Sequence, residues 1–282
     1  MDTLLERIRR AELEPLRGYF PAGTRVIELG GGSGFQASIL SSWGCDVHSI
    51  DVATRPDPHS QRYGRQYFTV TTYDGGNIPF ADSSFDVLYS SHMLYHAVDL
   101  DAMLGEISRV LRPGGVAVHV LPSASWRFWT TVAHYPNLVK KLLTRPNRLP
   151  NPAANALKES SAQVFDGGPN ASTDHTSPQG RSAQSRSPVR FSSQTLSRLG
   201  RARLLLTVRP LGPSSDVFQE WSSFRKRRWR CAFRAASYND VKALRGPLFY
   251  TGHLMRPDLP FGLRALMAFA LGPASFSWTM RR

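Results

Sequence analysis

The run Val26-Ile27-Glu28-Leu29-Gly30-Gly31-Gly32-Ser33-Gly34 constrains this chain more than any other stretch. Arg25–Leu29 is short and apolar and reads as a buried strand, and glycines follow it at alternate positions 30, 32 and 34. Glycine lets the backbone turn sharply and lets a ligand approach where a Cβ would clash. Phe35–Trp43 then suits a helix, whose N-terminal amides favour a carboxylate or phosphate. Strand, glycine turn and helix in that order open an α/β fold.

The rest of the first 121 residues keeps that rhythm. Leu4, Leu5, Ile8, Leu13 and Leu16 recur at helical spacing, and this amphipathic helix ends near Gly18 and Pro21. Strands are expected at Asp46–Asp51, Tyr67–Thr72, Phe85–Ser90 and Val116–Leu121. A helix over Ala102–Leu111 is expected to stop at Pro113-Gly114-Gly115. Alternating strands and helices predict a parallel sheet with right-handed crossovers.

Beyond residue 121 the pattern breaks. Trp126–Leu143 is aromatic-rich and reads as a helix, with Trp126-Arg127-Phe128-Trp129 as a wall for a pocket or as sheet packing. Residues 151–197 are rich in Pro, Asn, Ser and Arg and read as a long loop or disorder. Ser222–Ala236 suits a helix with a basic face, and Asn239–Leu248 and Ser275–Met280 suit late strands. The expected division is therefore a core over 1–121, an insertion or cap over 122–220, and a C-terminal part over 221–282 that completes the core.

Charge follows the same division. The chain is +14 overall, but residues 1–121 hold 10 basic and 14 acidic residues, whereas residues 122–282 hold 25 and 7. A basic excess points to an anionic partner: nucleic acid, an acidic lipid surface or an anionic metabolite. The two cysteines, Cys45 and Cys231, form no disulfide framework or zinc cluster and suit a reducing compartment. No stretch reaches the roughly 18 apolar residues of a membrane span. Leu263–Leu271 comes nearest, and its shortness and Arg264 disqualify it. The expectation is a soluble, cytoplasmic protein.

Two cofactor classes use such a glycine turn. The dinucleotide form, Gly-x-Gly-x-x-Gly, needs a third glycine where Phe35 stands. The form Glu-x-Gly-x-Gly-x-Gly fits in full, from Glu28 through Gly30, Gly32 and Gly34. It resembles motif I of the class I S-adenosylmethionine-dependent methyltransferases. Asp51 ends the second strand, where a carboxylate can accept both ribose hydroxyls, although dinucleotide enzymes use the same device. Tyr73-Asp74-Gly75-Gly76-Asn77-Ile78-Pro79-Phe80, then Ser84-Phe85-Asp86, resembles a further segment of those enzymes, as does Glu106–Gly115. The resemblance covers about residues 20–121 and is closest to the type 11, ubiquinone-biosynthesis-like group.

The resemblance implies S-adenosylmethionine as cofactor, held by Glu28, Gly30, Gly32, Gly34, Asp51 and Asp74, with Asp74 beside the adenine amino group. It implies a Rossmann-like, doubly wound, mostly parallel seven-stranded sheet flanked by helices, with one antiparallel strand near an edge and a long insertion after the fifth strand. It implies SN2 transfer of a methyl group, with no metal required. Asp86 reads as a turn and strand-start residue.

Acceptor-side residues should follow the fourth strand, at Ser90-Ser91-His92-Met93-Leu94-Tyr95-His96. Relatives often show Asn-x-Leu-Glu-His here; this chain keeps His96 in register but has His92 and Tyr95 in place of Asn and Glu. His92 and His96 are i, i+4 and would share a helix face. Each reads either as a general base or as a packed or capping histidine; zinc would need further ligands at proper spacing. Tyr95, Tyr250 and His253 are acceptor-pocket candidates, with packed aromatics and a surface histidine as the alternative. The expected acceptor is a small molecule, a lipid or a glycan-linked group, methylated on oxygen or carbon. An RNA methyltransferase using the basic half is a second enzyme reading, although no DNA-type catalytic string or RNA-binding module is present. A methyltransferase-fold binding protein without turnover is the non-enzyme reading.

Overall fold

The computed structural model describes residues 2–52, 65–144, 221–252 and 259–282, with backbone alone over 136–144. Its elements are α1 (Leu4–Leu13), β1 (Arg25–Leu29), α2 (Phe35–Ser42), β2 (Asp46–Val52), β3 (Val70–Tyr73), β4 (Phe85–Ser91), α3 (Leu100–Val110), β5 (Leu111–Pro122), α4 (Ala124–Thr144), α5 (Lys226–Ala235), β6 (Asn239–Arg245), α6 (Phe261–Leu271) and β7 (Ser275–Arg281). The chain divides into two units, 1–137 with 208–282, and 138–207. Apart from the end of α4, everything described here belongs to the first. The expected loop over 151–197 lies outside the described residues.

One seven-stranded sheet runs in the order β3-β2-β1-β4-β5-β7-β6. Strands β1 to β5 pair in parallel, and β7 runs antiparallel to both β5 and β6. This is the doubly wound, Rossmann-like arrangement expected. Successive residues explain it: Val26, Val87 and Val118 pack on one face with Leu40 of α2, whereas Ile27, Leu88 and Ala117 pack on the other with Leu104 of α3 and Phe233 of α5. Both faces of each central strand are apolar, as a parallel sheet covered on both sides requires.

Local chemistry sets the ends. Thr3 and Glu6 close a capping box at the start of α1, Thr3 Oγ accepting the Glu6 N–H and Glu6 Oε2 accepting the Thr3 N–H at 2.6 Å. Asp86 Oδ2 accepts the Arg25 N–H at 2.8 Å and its Oδ1 pairs with Arg112, tying together the starts of β1 and β4.

Several boundaries differ from the sequence reading, among them the start of α5 at Lys226 in place of Ser222. The helix α3 ends at Val110, and Leu111 already pairs with Phe85; the stop is not at Pro113-Gly114-Gly115, which bulges out before Val116 pairs with Val87. Pro113 has no N–H to donate, and Gly114 takes φ +77°, so the ladder cannot run through them. The third strand starts at Val70, because the Tyr67 N–H is used on the Ser33 carbonyl at 2.9 Å. The strand β6 stops at Arg245, before Gly246-Pro247. The helix α6 has no counterpart among the expected elements; its sequence shows only an apolar stretch too short to span a membrane.

Candidate active site

At the middle of the sheet, β1 lies between β2 and β4, and the chain leaves β1 toward one side and returns as β4 on the other. Ligands of open α/β sheets bind at such a switch point, beyond the carboxyl ends of the strands. The glycine turn follows β1 there. Gly30, Gly32 and Gly34 all have positive φ, of 78°, 55° and 72°. A Cβ on Gly30 would meet Met93 at 2.8 Å, and one on Gly34 would meet the Phe68 backbone.

Gly32 is different: nothing lies within 4 Å of where its Cβ would be. Its N–H donates to Asp51 Oδ2 at 2.8 Å, and the Val52 N–H donates to Oδ1 at 2.7 Å. An open space at a left-handed glycine, bordered by a carboxylate with accepting capacity to spare, fits a ligand that carries hydroxyls. The residues present thus fit the ribose of a nucleoside cofactor.

Glu28 lies under the turn. It is buried and accepts from Ser49 Oγ at 2.6 Å, and a Cβ on Gly31 would fall 2.0 Å from that same Oγ. Burial pushes the Glu28 carboxyl up to about 7; the Asp51 charge adds to this and the Ser49 hydrogen bond opposes it. Asp74, beyond β3, accepts from the N–H groups of Gly76 and Asn77, both at 2.8 Å, and these hold its carboxyl below the usual range. That chelated turn fixes the carboxylate at the sheet's carboxyl edge.

On the β4 side, the structure brings His92 and Tyr250 together. His92 has φ +55°, its N–H bonds to the Val120 carbonyl, and its Nε2 lies 3.3 Å from the Tyr250 hydroxyl and 3.5 Å from Glu12 Oε2. Glu12 is 1% exposed and is the hub of this cluster. It accepts from Arg9 at 2.7 Å, from Tyr250 at 2.8 Å and from Ser275. Burial works against the Glu12 carboxylate, and His92 and Arg9 outweigh it, so the carboxyl lies well below its ordinary range. Of the two, Arg9 keeps its charge at every pH. Burial, and then Arg9, lower His92 despite Glu12, so the imidazole is neutral near pH 7. A carboxylate facing Nε2 favours the tautomer protonated there, which leaves the lone pair on Nδ1.

His92 and His96 do not share a helix face. The left-handed His92 precedes a short 3-10 turn, Leu94–His96, so no helix spans the pair. The His96 ring lies 4.1 Å from that of Tyr95, and Tyr95 packs edge-on against Phe224 at 5.4 Å. His253 lies outside the described residues. Trp229, the aromatic within the basic run, is buried, with its ring stacked on Phe233. Among the described residues no group of three or more His, Cys, Asp or Glu is placed to hold a metal ion. Sequence reasoning missed Glu12, Arg9 and Ser275. The signal for Glu12 was present: it takes the position between Ile8 and Leu16 on the apolar face of the first helix, where a carboxylate does not belong without partners.

Residues 27–119 match the family described as methyltransferase domain. The chain carries a class I S-adenosylmethionine-dependent methyltransferase domain. The glycine turn, Asp51, Asp74 and His92 all fall inside this methyltransferase domain; Glu12, Tyr250 and Ser275 fall outside it. The chain is 32% identical over 129 residues to a dimethylglycine N-methyltransferase of Parasynechococcus marenigrum, covering 44% of this chain and 46% of that one. It is 38% identical over 107 residues to a demethylmenaquinone methyltransferase of Beutenbergia cavernae, covering 38% and 43%. The chain spans less than half the length of these relatives. A solved structure of a SAM dependent methyltransferase from Archaeoglobus fulgidus aligns over 98% of this chain and 94% of its own, with a TM-score of 0.49 at 11% identity.

Proposed function

We propose that this protein transfers the methyl group of S-adenosylmethionine to a small-molecule, lipid-like or glycan-linked acceptor, on oxygen or carbon. The carrying observation is the open side of Gly32 with its amide on Asp51, at the switch point of the sheet. In this reading Asp51 accepts the ribose hydroxyls, Gly30, Gly32 and Gly34 let the donor lie against the backbone, and Asp74 borders the adenine. Glu28 supports the turn from below through Ser49. The bound sulfonium supplies an electrophilic methyl group; the chain's own work is proximity and alignment.

His92 serves as the proton acceptor where the acceptor must lose a proton. Its neutral imidazole, oriented by Glu12 and Tyr250, supports that role. His96 and Tyr95 wall the acceptor side together with Tyr250.

Calorimetry with S-adenosylmethionine tests the donor site. The wild-type chain binds it, and Asp51→Ala weakens binding by about ten- to a hundredfold, the worth of charge-assisted hydrogen bonds. Absence of donor binding at millimolar concentration overturns the proposal. Transfer of labelled methyl groups to extracts separated into lipid, polysaccharide and RNA fractions tests the acceptor. Label in RNA alone replaces the small-acceptor reading.

A further inference from the structure

Helix α6 is turned inside out. Its one charged residue, Arg264, is 1% exposed, whereas Leu266 is 63% and Phe269 81% exposed. Leu263 and Leu271 are exposed with them, and the helix has no other polar side chain. The guanidinium is committed inward: Nε donates to the Leu259 carbonyl at 3.2 Å and Nη1 to the Phe249 carbonyl. A surface helix of a globular protein ordinarily shows the reverse pattern. A charge-free apolar face of this kind marks a binding surface.

The rim of this face is basic. Exposed Arg7 lies over the Phe261 ring at one end of the helix, 4.7 Å from its centroid. Exposed Arg245 lies beside Phe269 at the other end and donates to the carbonyls of Ala268 and Phe269. Lys226 stands close enough to Arg245 that burial, and then the charges of Arg245 and Arg230, lower its ammonium. Like charges gathered beside an apolar face call for an anionic counterpart that also offers an apolar layer.

We infer that α6 docks this protein on an anionic lipid bilayer, with Leu263, Leu266 and Phe269 bedded among the acyl chains and Arg7, Arg245 and Lys226 on the lipid phosphates. Eleven residues make about 16 Å of helix, half of what a span needs, so α6 lies in the interface plane. Among the described residues no helix is long and apolar enough to cross a membrane. A second copy of this chain is a poorer occupant, because a two-fold contact would set the same arginines against one another. The docking does not depend on the methyltransferase reading. It does have a consequence for it: α6 rests, through Arg264 and Phe249, on the segment that carries Tyr250, so docking would bring that segment next to the lipid surface.

The test is vesicle co-sedimentation of the full chain, with phosphatidylcholine alone and with phosphatidylcholine mixed with phosphatidylglycerol. Binding is expected to the mixed vesicles only, falling with added salt. Leu266→Ser with Phe269→Ser should weaken it about tenfold or more. Arg7→Gln should weaken it about fivefold, the share of one basic residue at an anionic surface. The double variant should keep the wild-type circular dichroism spectrum and melting temperature, which separates lost docking from lost folding. Equal binding by wild type and double variant, or no binding by wild type, overturns the inference. So does a wild-type dimer in light scattering that the double variant converts to monomer, which would make the occupant a second copy.

Discussion

Replacing Glu28 by Gln is the sharpest perturbation of the donor side. The wild-type carboxyl is 2% exposed and is held at about 7, against an ordinary 4.5. Below pH 4.5 folded and unfolded chains both carry it protonated, and it contributes nothing. As pH rises toward 7 the unfolded chain ionises it freely while the folded chain resists, so stability is lost across that window. The gap from 4.5 to about 7 corresponds to about 3 kcal/mol, fully present as a penalty above pH 7. Gln cannot ionise and so lacks the penalty, while its carbonyl can still accept from Ser49. Other buried groups titrate in the same range: burial holds His119 down at about 3, so it costs stability as pH falls below its ordinary value. That contribution is common to both proteins and cancels in their difference. The assay is therefore urea unfolding of both proteins from pH 4 to 8. The difference in unfolding free energy should shift by about 3 kcal/mol in favour of Glu28→Gln as pH rises, mostly between 4.5 and 7. A difference that stays flat means Glu28 has a charged partner or solvent in the folded protein, and refutes the argument.

Two further predictions concern neighbouring contacts. Gly31→Ala should cost about 1–3 kcal/mol, because its Cβ would stand 2.0 Å from Ser49 Oγ; in a Ser49→Ala background the added cost should fall but not vanish, since Glu28 Oε2 still lies 3.0 Å away, and a double-mutant cycle of denaturation midpoints reads the difference. Glu12→Gln should leave donor affinity unchanged and lower the methyl-transfer rate by about ten- to a hundredfold, moving the acid limb of the pH–rate profile to lower pH as His92 loses its carboxylate; an unchanged profile would make the cluster structural.

The sheet and the donor turn were legible in the sequence because their signals are local. Val26 and then Ile27 and Leu29 bring apolar side chains to the two faces of β1, and the alternate glycines stand where the backbone takes positive φ. The strands at Phe85–Ser90 and Val116–Leu121 were legible too, but not the earlier pairing of Leu111 with Phe85, since a bulge around Pro113 restarts the register. The acceptor side was half legible. His92 was found by its place after β4, yet its helical relation to His96 failed, because a left-handed residue breaks the helix before it starts. Glu12 escaped because its partners, Tyr250 and Ser275, are more than 230 residues away. The helix α6 escaped because helix patterns are read by an apolar face turned inward, and α6 inverts that rule.

The charge split between the two halves follows the expected division into a core before residue 122 and an insertion and C-terminal part after it. The proposed acceptor side does not divide that way. Glu12 reaches in from the first helix, His92 from the end of β4, and Tyr250 and Ser275 from the C-terminal part, and they share one buried carboxylate. A buried ion held by groups from three parts of the chain is costly to leave incomplete, since removing one partner of such a pair costs about 3–5 kcal/mol. The cluster therefore locks α1 and the C-terminal strands onto the mouth of the methyltransferase domain. The inverted helix α6 sits on the segment that carries Tyr250, so the proposed docking surface and the proposed acceptor wall are adjacent parts of one structure.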